Sequence, residues 1–167
     1  ASDTSATVYL DAGCWNFNDP TQLPSAYRLP VETKPAATRK HIQGGELIDF
    51  GKETFGYITL HALQGSGTVN IYYGESPEEA QDTAYCETLD RLQVHNGMVT
   101  DLATSHSRAA QSSYTVEGSK AFRYVYITRS EGANYRTVDM QYEYMPEEYR
   151  GSFRCNDEEI NRIWDVG

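Results

Sequence analysis

From residue 46 onward the chain alternates between apolar and polar positions with the two-residue period of strands half buried in a sheet. Ile58, Leu60 and Ala62 fall on one face, Thr59 and His61 on the other. Beyond Gly65-Ser66-Gly67, the residues Val69, Ile71 and Tyr73 again share a face, so the two segments are expected to form a hairpin about a glycine turn. Ser76-Pro77-Glu78-Glu79 combines an N-cap serine, a proline at the first helical position and a glutamate three residues after the cap, which predicts a helix of one or two turns. Residues 83–112 are polar and predict only short strands at Asp90–Val94 and Met98–Leu102, joined at Gly97. Three firmer strands follow, at Ser113–Glu117, Phe122–Thr128 and Val138–Tyr144. In the last of these, Val138, Met140, Tyr142 and Tyr144 share one face and Asp139, Gln141 and Glu143 the other. Phe122–Thr128 is apolar or aromatic on both faces, as befits a central strand. Many short strands with no alternating helices predict an all-β fold, an antiparallel jelly-roll-like β-sandwich.

The two ends depart from this pattern. Pro20, Pro24, Pro30 and Pro35 break residues 1–45 into pieces too short for a long helix or central strand, and predict an arm that wraps the core. Edge strands are expected there at Thr7–Leu10 and Cys14–Phe17. At the other end, Asn156 is placed as an N-cap, acids fill the first turn, and Ile160, Ile163 and Trp164 recur at helical spacing. One or two turns can hardly bury Trp164. A short C-terminal helix that begins a missing helical domain is therefore expected. The implied organisation is an arm over 1–45, a β-sandwich core over 46–150, and a linker with the first helix over 151–167.

Composition narrows the function classes. The 167 residues suit one domain able to bury a core without a metal or disulfide staple. Fourteen Lys and Arg against 24 Asp and Glu give a net charge of −10, which repels a polyphosphate backbone, so no nucleic-acid partner is expected. No apolar stretch is long enough to span a membrane as a helix, and no membrane partner is expected. Thirteen tyrosines, against five Phe and two Trp, supply rings that can be buried while keeping a hydroxyl wet. Cys14, Cys86 and Cys155 allow one disulfide at most and match no zinc pattern.

Candidate chemistry is sparse. His41, His61, His95 and His106 neither pair at helical spacing nor cluster with cysteine, so no metal is expected. A Gly-x-Ser-x-Gly elbow is absent, and Gly65-Ser66-Gly67 lacks the remaining features of a dinucleotide loop, so no cofactor is expected. Glu75, Glu78, Glu79 and Asp82 offer a sugar or calcium site, with a solvated acidic helix start as the preferred alternative. Sugar recognition needs an aromatic ring against a pyranose and a polar group at its hydroxyls. The candidates are Trp15 and Tyr73 with Glu75 as polar neighbour, and core or interdomain packing is the preferred alternative for the two rings. Arg123, between Phe122 and Tyr124, is expected to pair with a buried acid rather than a ligand.

Four strings carry a resemblance: Asp49-Phe50-Gly51-Lys52-Glu53-Thr54-Phe55-Gly56, Tyr72-Tyr73-Gly74-Glu75-Ser76, Ala121-Phe122-Arg123-Tyr124-Val125 and Gly151-Ser152-Phe153-Arg154-Cys155-Asn156-Asp157. In this order and spacing, residues 46–167 resemble the β-domain and the start of the catalytic barrel of bacterial α-L-rhamnosidases, whereas residues 1–45 contain no matching string. The resemblance implies an accessory β-sandwich ahead of an (α/α)6 barrel that hydrolyses terminal α-L-rhamnosides with inversion. It implies that the barrel is the partner, that the catalytic carboxylates lie outside this sequence, and that a periplasmic or extracellular setting is slightly favoured. No catalytic residue is assigned here. An autonomous module binding rhamnose-containing glycans and a structural spacer are the alternatives.

Overall fold

The computed structural model describes residues 29–42, 44–144 and 151–166. Their elements are β1 (Val31–Pro35), β2 (Thr38–Ile42), β3 (Gly45–His61), β4 (Gln64–Gly74), α1 (Pro77–Gln81), β5 (Leu89–His95), β6 (Met98–Asp101), β7 (Ser107–Ala109), β8 (Ser113–Thr115), β9 (Lys120–Arg129), β10 (Ala133–Asn134), β11 (Thr137–Glu143) and α2 (Glu158–Val166). The fold is all-β and the strand pairs are antiparallel, in the order β1-β11-β3-β9-β4-β5-β6-β7, with β2 and β8 also on β3 and β10 on β4.

The long strand β3 organises the sheet. Its first part, Gly45–Asp49, lies between β2 and β9, and its last part, Gly56–His61, runs along β11 with β8 on the other side. Between them the pairing with β9 jumps from Asp49↔Tyr124 to Thr54↔Phe122, so several β3 residues oppose almost none on β9. Such an insertion bends a strand and increases its twist. Gly51 sits in the bulge at φ +86°, and its N–H donates to Asp49 Oδ1 at 2.6 Å. Bending lets one strand serve two ladders. Their inner faces merge into a single core containing Ile48, Ile58, Leu60, Val69, Ile71, Leu92, Phe122, Val125, Ile127, Val138 and Met140. A smaller cluster of Tyr72, Ala80 and Tyr126 lies where α1 covers β4 and β9. A side chain at Gly74 would put Cβ 2.5 Å from the Ala80 nitrogen, so this close approach requires glycine.

Several expectations hold. Strands β5 and β6 pair across Asn96 and Gly97, both with positive φ, which is the geometry of a tight two-residue hairpin. β9 is central, between β3 and β4, and Val138 and Met140 of β11 face the core. Ser76 caps α1 by accepting from the Glu79 N–H at 3.1 Å.

Other expectations are corrected. The hairpin expected about Gly65-Ser66-Gly67 does not form. β3 does not pair with β4, whose neighbours are β5, β9 and β10, and those glycines belong to β4 itself, with Gly65 opposite Ala133. The chain instead passes from one ladder to the other at Ala62 and Leu63, with Ala62 at φ 52°. The cap of α2 is Asp157 rather than Asn156, since Asp157 Oδ1 accepts from the N–H groups of Glu159 and Ile160 at 2.9 and 3.3 Å. The edge strands expected at Thr7–Leu10 and Cys14–Phe17 lie outside the described residues. Ahead of β3, the unanticipated β1 and β2 pair with β11 and β3.

Candidate functional site

A cleft of about 700 Å³ opens beside β2 and the start of β3. Its walls come from β2 (Arg39, His41), the start of β3 (Gly44 to Glu46), the end of β9 (Arg129) and the segment leading into β11 (Tyr135, Arg136). Glu46 is in phase with Ile48 and Phe50 on the core face of β3, and only 4% of it is exposed. A carboxylate placed inward by strand alternation requires partners. Arg39 grips it with two hydrogen bonds, Nε to Oε1 and Nη2 to Oε2, each 2.8 Å, while the Tyr135 hydroxyl donates to Oε2 at 2.8 Å. Burial alone would push the Glu46 carboxyl up, but the bonds from Arg39 and Tyr135 outweigh it and hold the acid below its ordinary range. Burial first, and then the bond to Glu46, push the Tyr135 phenol far above its usual value.

This geometry does not suit acid catalysis by Glu46. Glu46 is held ionised with both oxygens engaged, the opposite of a poised general acid. Two further cations face the cleft. Arg129 donates to the Ala133 carbonyl at 3.0 Å, and the backbone carbonyl of Arg136 accepts from Arg39 Nη1 at 3.2 Å.

The sites expected from sequence are not brought together. Trp15 lies outside the described residues. Tyr73 is in the core, 2% exposed, its ring edge-on to Phe122 at 5.0 Å and its hydroxyl donating to Asp90. Such a ring has no face open to a pyranose, and its position is that of the packing alternative. Lys120 completes the node: Nζ is 3.0 Å from Asp90 Oδ1 and 5.2 Å from the Tyr73 ring centroid. Glu75 is exposed beside α1, its N–H donating to Glu79 Oε2 at 2.8 Å. Glu79 is thus part of the helix start. Among the described residues no group of three or more His, Cys, Asp and Glu side chains is arranged to hold a metal. Arg123 pairs with Asp49, Nε to Oδ1 at 2.9 Å, as expected of a strand arginine, although Asp49 is only partly buried. Cys86 and Cys155 are free thiols. The residue missed in sequence is Glu46. Its signal was available, because Glu46, Ile48 and Phe50 alternate with Leu47 and Asp49.

The family model for bacteroidetes α-rhamnosidase-like N-terminal domains matches residues 1–127. The match begins at residue 1 rather than at residue 46, so the arm lies inside it, and it ends before the Gly151–Asp157 string. No curated protein matches the chain. Among solved structures, the GH78 family rhamnosidase of Bacillus sp. GL1 is similar over 77% of the chain, with 20% identity and a TM-score of 0.52. The α-L-rhamnosidase of Dictyoglumus thermophilum is similar over 81%, with 18% identity and a TM-score of 0.50. The chain spans only 13% and 16% of the length of these two proteins.

Proposed function

The chain belongs to the family of bacteroidetes α-rhamnosidase-like N-terminal domains, and from this premise we propose that it is an accessory, catalytically silent β-domain of a glycoside hydrolase acting on terminal α-L-rhamnosides. The family match over residues 1–127 carries the reading. On this view the acid and base reside in a helical barrel, and the β-domain packs against it and helps shape its cleft. The organisation is an arm over 1–45, a sandwich core over 46–150 with jelly-roll-like wrapping, and a linker and helix over 151–167 leading into the barrel.

The face of α2 supports a partner. Ile160, Ile163 and Trp164 are 46%, 67% and 50% exposed, and Trp164 has Phe153 beside it at 5.5 Å between ring centroids. Apolar surface of this kind on a short helix is normally covered. The Arg39–Glu46 cleft favours a second role for the same domain, sugar binding. A spacer role has no such feature behind it.

The test compares residues 1–167 with the parent polypeptide that carries the helical domain, using an aryl α-L-rhamnoside. The parent is expected to release the aryl group and residues 1–167 to release none. Turnover by residues 1–167 that co-purifies with the chain, or no rhamnoside hydrolysis by the parent, overturns the proposal.

A further inference from the structure

Strand alternation leaves one face of β3 and β11 outside the core. Gly56, Ile58 and Leu60 of β3 and Val138 and Met140 of β11 are buried, so Phe55 and Tyr57 share the opposite face with Asp139, Gln141 and Glu143. The register sets them side by side. Phe55 lies across from Glu143 and Tyr57 across from Gln141, while on the far side of β11 the β1 residues Val31 and Thr33 lie across from the same two polar residues. Directly opposed side chains start about 5 Å apart, and successive ones on one face of a strand about 7 Å apart. Rings on β3 thus run beside planar polar groups on β11, and none of these residues lines the cleft.

Phe55 is 60% exposed although it lies within β3, and its neighbour on β9 is only Ala121. An exposed ring alone would say little. Here the polar groups beside it are already held. Thr33 Oγ1 donates to Gln141 Oε1 at 3.0 Å, which orients the amide and leaves its N–H donors without a partner among the described residues. The Tyr57 hydroxyl donates to Glu143 Oε1 at 3.1 Å, which leaves Oε2 as an acceptor. This chemistry selects the occupant. A stable protein interface covers about 800 Å² per partner around an apolar centre, whereas here the exposed Phe55 and Val31 are separated by Glu143. An anion would meet Glu143 on a chain of net charge −10. A pyranose satisfies both rows at once, with its C–H face on the Phe55 ring and its hydroxyls donating to Glu143 Oε2 and accepting from Gln141 Nε2.

We propose that this sheet face binds an uncharged sugar, its ring stacked on Phe55 and its hydroxyls held by Gln141 and Glu143. That the sugar is a rhamnoside rests on the function proposed above, whereas the stacking and hydrogen-bonding site rests on the sheet face alone.

The test titrates residues 1–167 with methyl α-L-rhamnoside and, as the anionic control, methyl α-D-glucuronide, followed by NMR shift mapping. The rhamnoside is expected to bind with a dissociation constant of about 1–5 mM, to shift the amides around Phe55, Gln141 and Glu143, and to be insensitive to salt. Phe55→Ala is expected to weaken it about tenfold while moving the melting temperature by no more than about 3 °C, because the ring is exposed. Gln141→Glu keeps the acceptor for Thr33 but removes the N–H donors, and is expected to weaken binding about fivefold. No shifts at about 20 mM rhamnoside, glucuronide binding as tightly as rhamnoside, or unchanged binding by both variants overturns the proposal. Shifts confined to the Arg39–Glu46 cleft overturn it in favour of that cleft. Phe55→Ala lowering the melting temperature of the parent polypeptide but not of residues 1–167 overturns it in favour of burial against the rest of the parent. Hydrolysis of an aryl rhamnoside by the parent is read separately, so failure of this site and failure of the accessory-domain reading are told apart.

Discussion

Replacing Arg39 with methionine would keep much of the side chain's volume and remove the guanidinium from the one buried carboxylate of the cleft. The Glu46 side chain is 5% exposed and the Arg39 side chain 31%. Removing one partner of a fully buried pair costs about 3–5 kcal/mol because the other charge is left desolvated. Partial exposure of Arg39 and the surviving Tyr135 bond reduce this to about 2–3 kcal/mol, or a fall in Tm of roughly 4–12 °C for a chain of this size. The pH dependence is more telling than the size. In the native protein the folded-state acidity of Glu46 lies below its ordinary value, so this group adds stability above the unfolded pKa and loses it as pH falls through the folded pKa. In Arg39→Met, burial is no longer outweighed, the folded pKa rises, and the sign reverses: ionised Glu46 then destabilises the protein near neutrality and protonation relieves it. Urea unfolding of both proteins at pH 7 and pH 4 should therefore show the deficit shrinking on acidification, with unchanged m-values. A deficit of equal size at both pH values would refute the assignment of the cost to the buried charge.

Two other substitutions probe the core beside it. Phe122→Ala removes a fully buried ring that meets Phe50 and Tyr73 edge-on at centroid distances of 5.7 and 5.0 Å, and is expected to cost about 3–5 kcal/mol in denaturant unfolding; a loss below about 1 kcal/mol would contradict the central place of β9. Tyr73→Phe deletes the hydroxyl that donates to Asp90 while Lys120 remains; it is expected to cost about 1–3 kcal/mol in denaturant unfolding, and a variant as stable as the native chain would contradict the bond to Asp90.

Elements whose partners are adjacent in sequence were legible before the structure. Gly97 announced the β5–β6 turn, and Ser76-Pro77 with Glu79 announced α1, because both depend on local backbone and capping chemistry. The all-β class and the central place of Phe122–Thr128 were legible from apolar periodicity. The hairpin about Gly65-Ser66-Gly67 was not, and the reason is physical. Alternation says which face a residue occupies and nothing about which strand lies beside it. A glycine-rich segment between two strands serves equally as a turn or as the close contact that Gly65 makes with β10. Only the bulge at Asp49–Thr54, which divides β3 between two ladders, decides between them.

The same distinction explains the site. Tyr73 and Glu75 suit a sugar by residue type at a strand end, but the strand's own phase sends Tyr73 inward to Asp90. Acids are abundant in this chain and abundance hides Glu46, although its phase with Ile48 and Phe50 sets it apart from solvent-facing acids such as Glu78. What makes Glu46 informative is its cost: desolvating a carboxylate is tolerated only where donors are fixed around it. Arg39 comes from β2 and Tyr135 from the segment before β11, so one buried charge ties three separate parts of the chain to a single cleft. Strand β2, which lies before the first strong alternation, thus supplies a wall of the cleft, and it lies within the family match over residues 1–127.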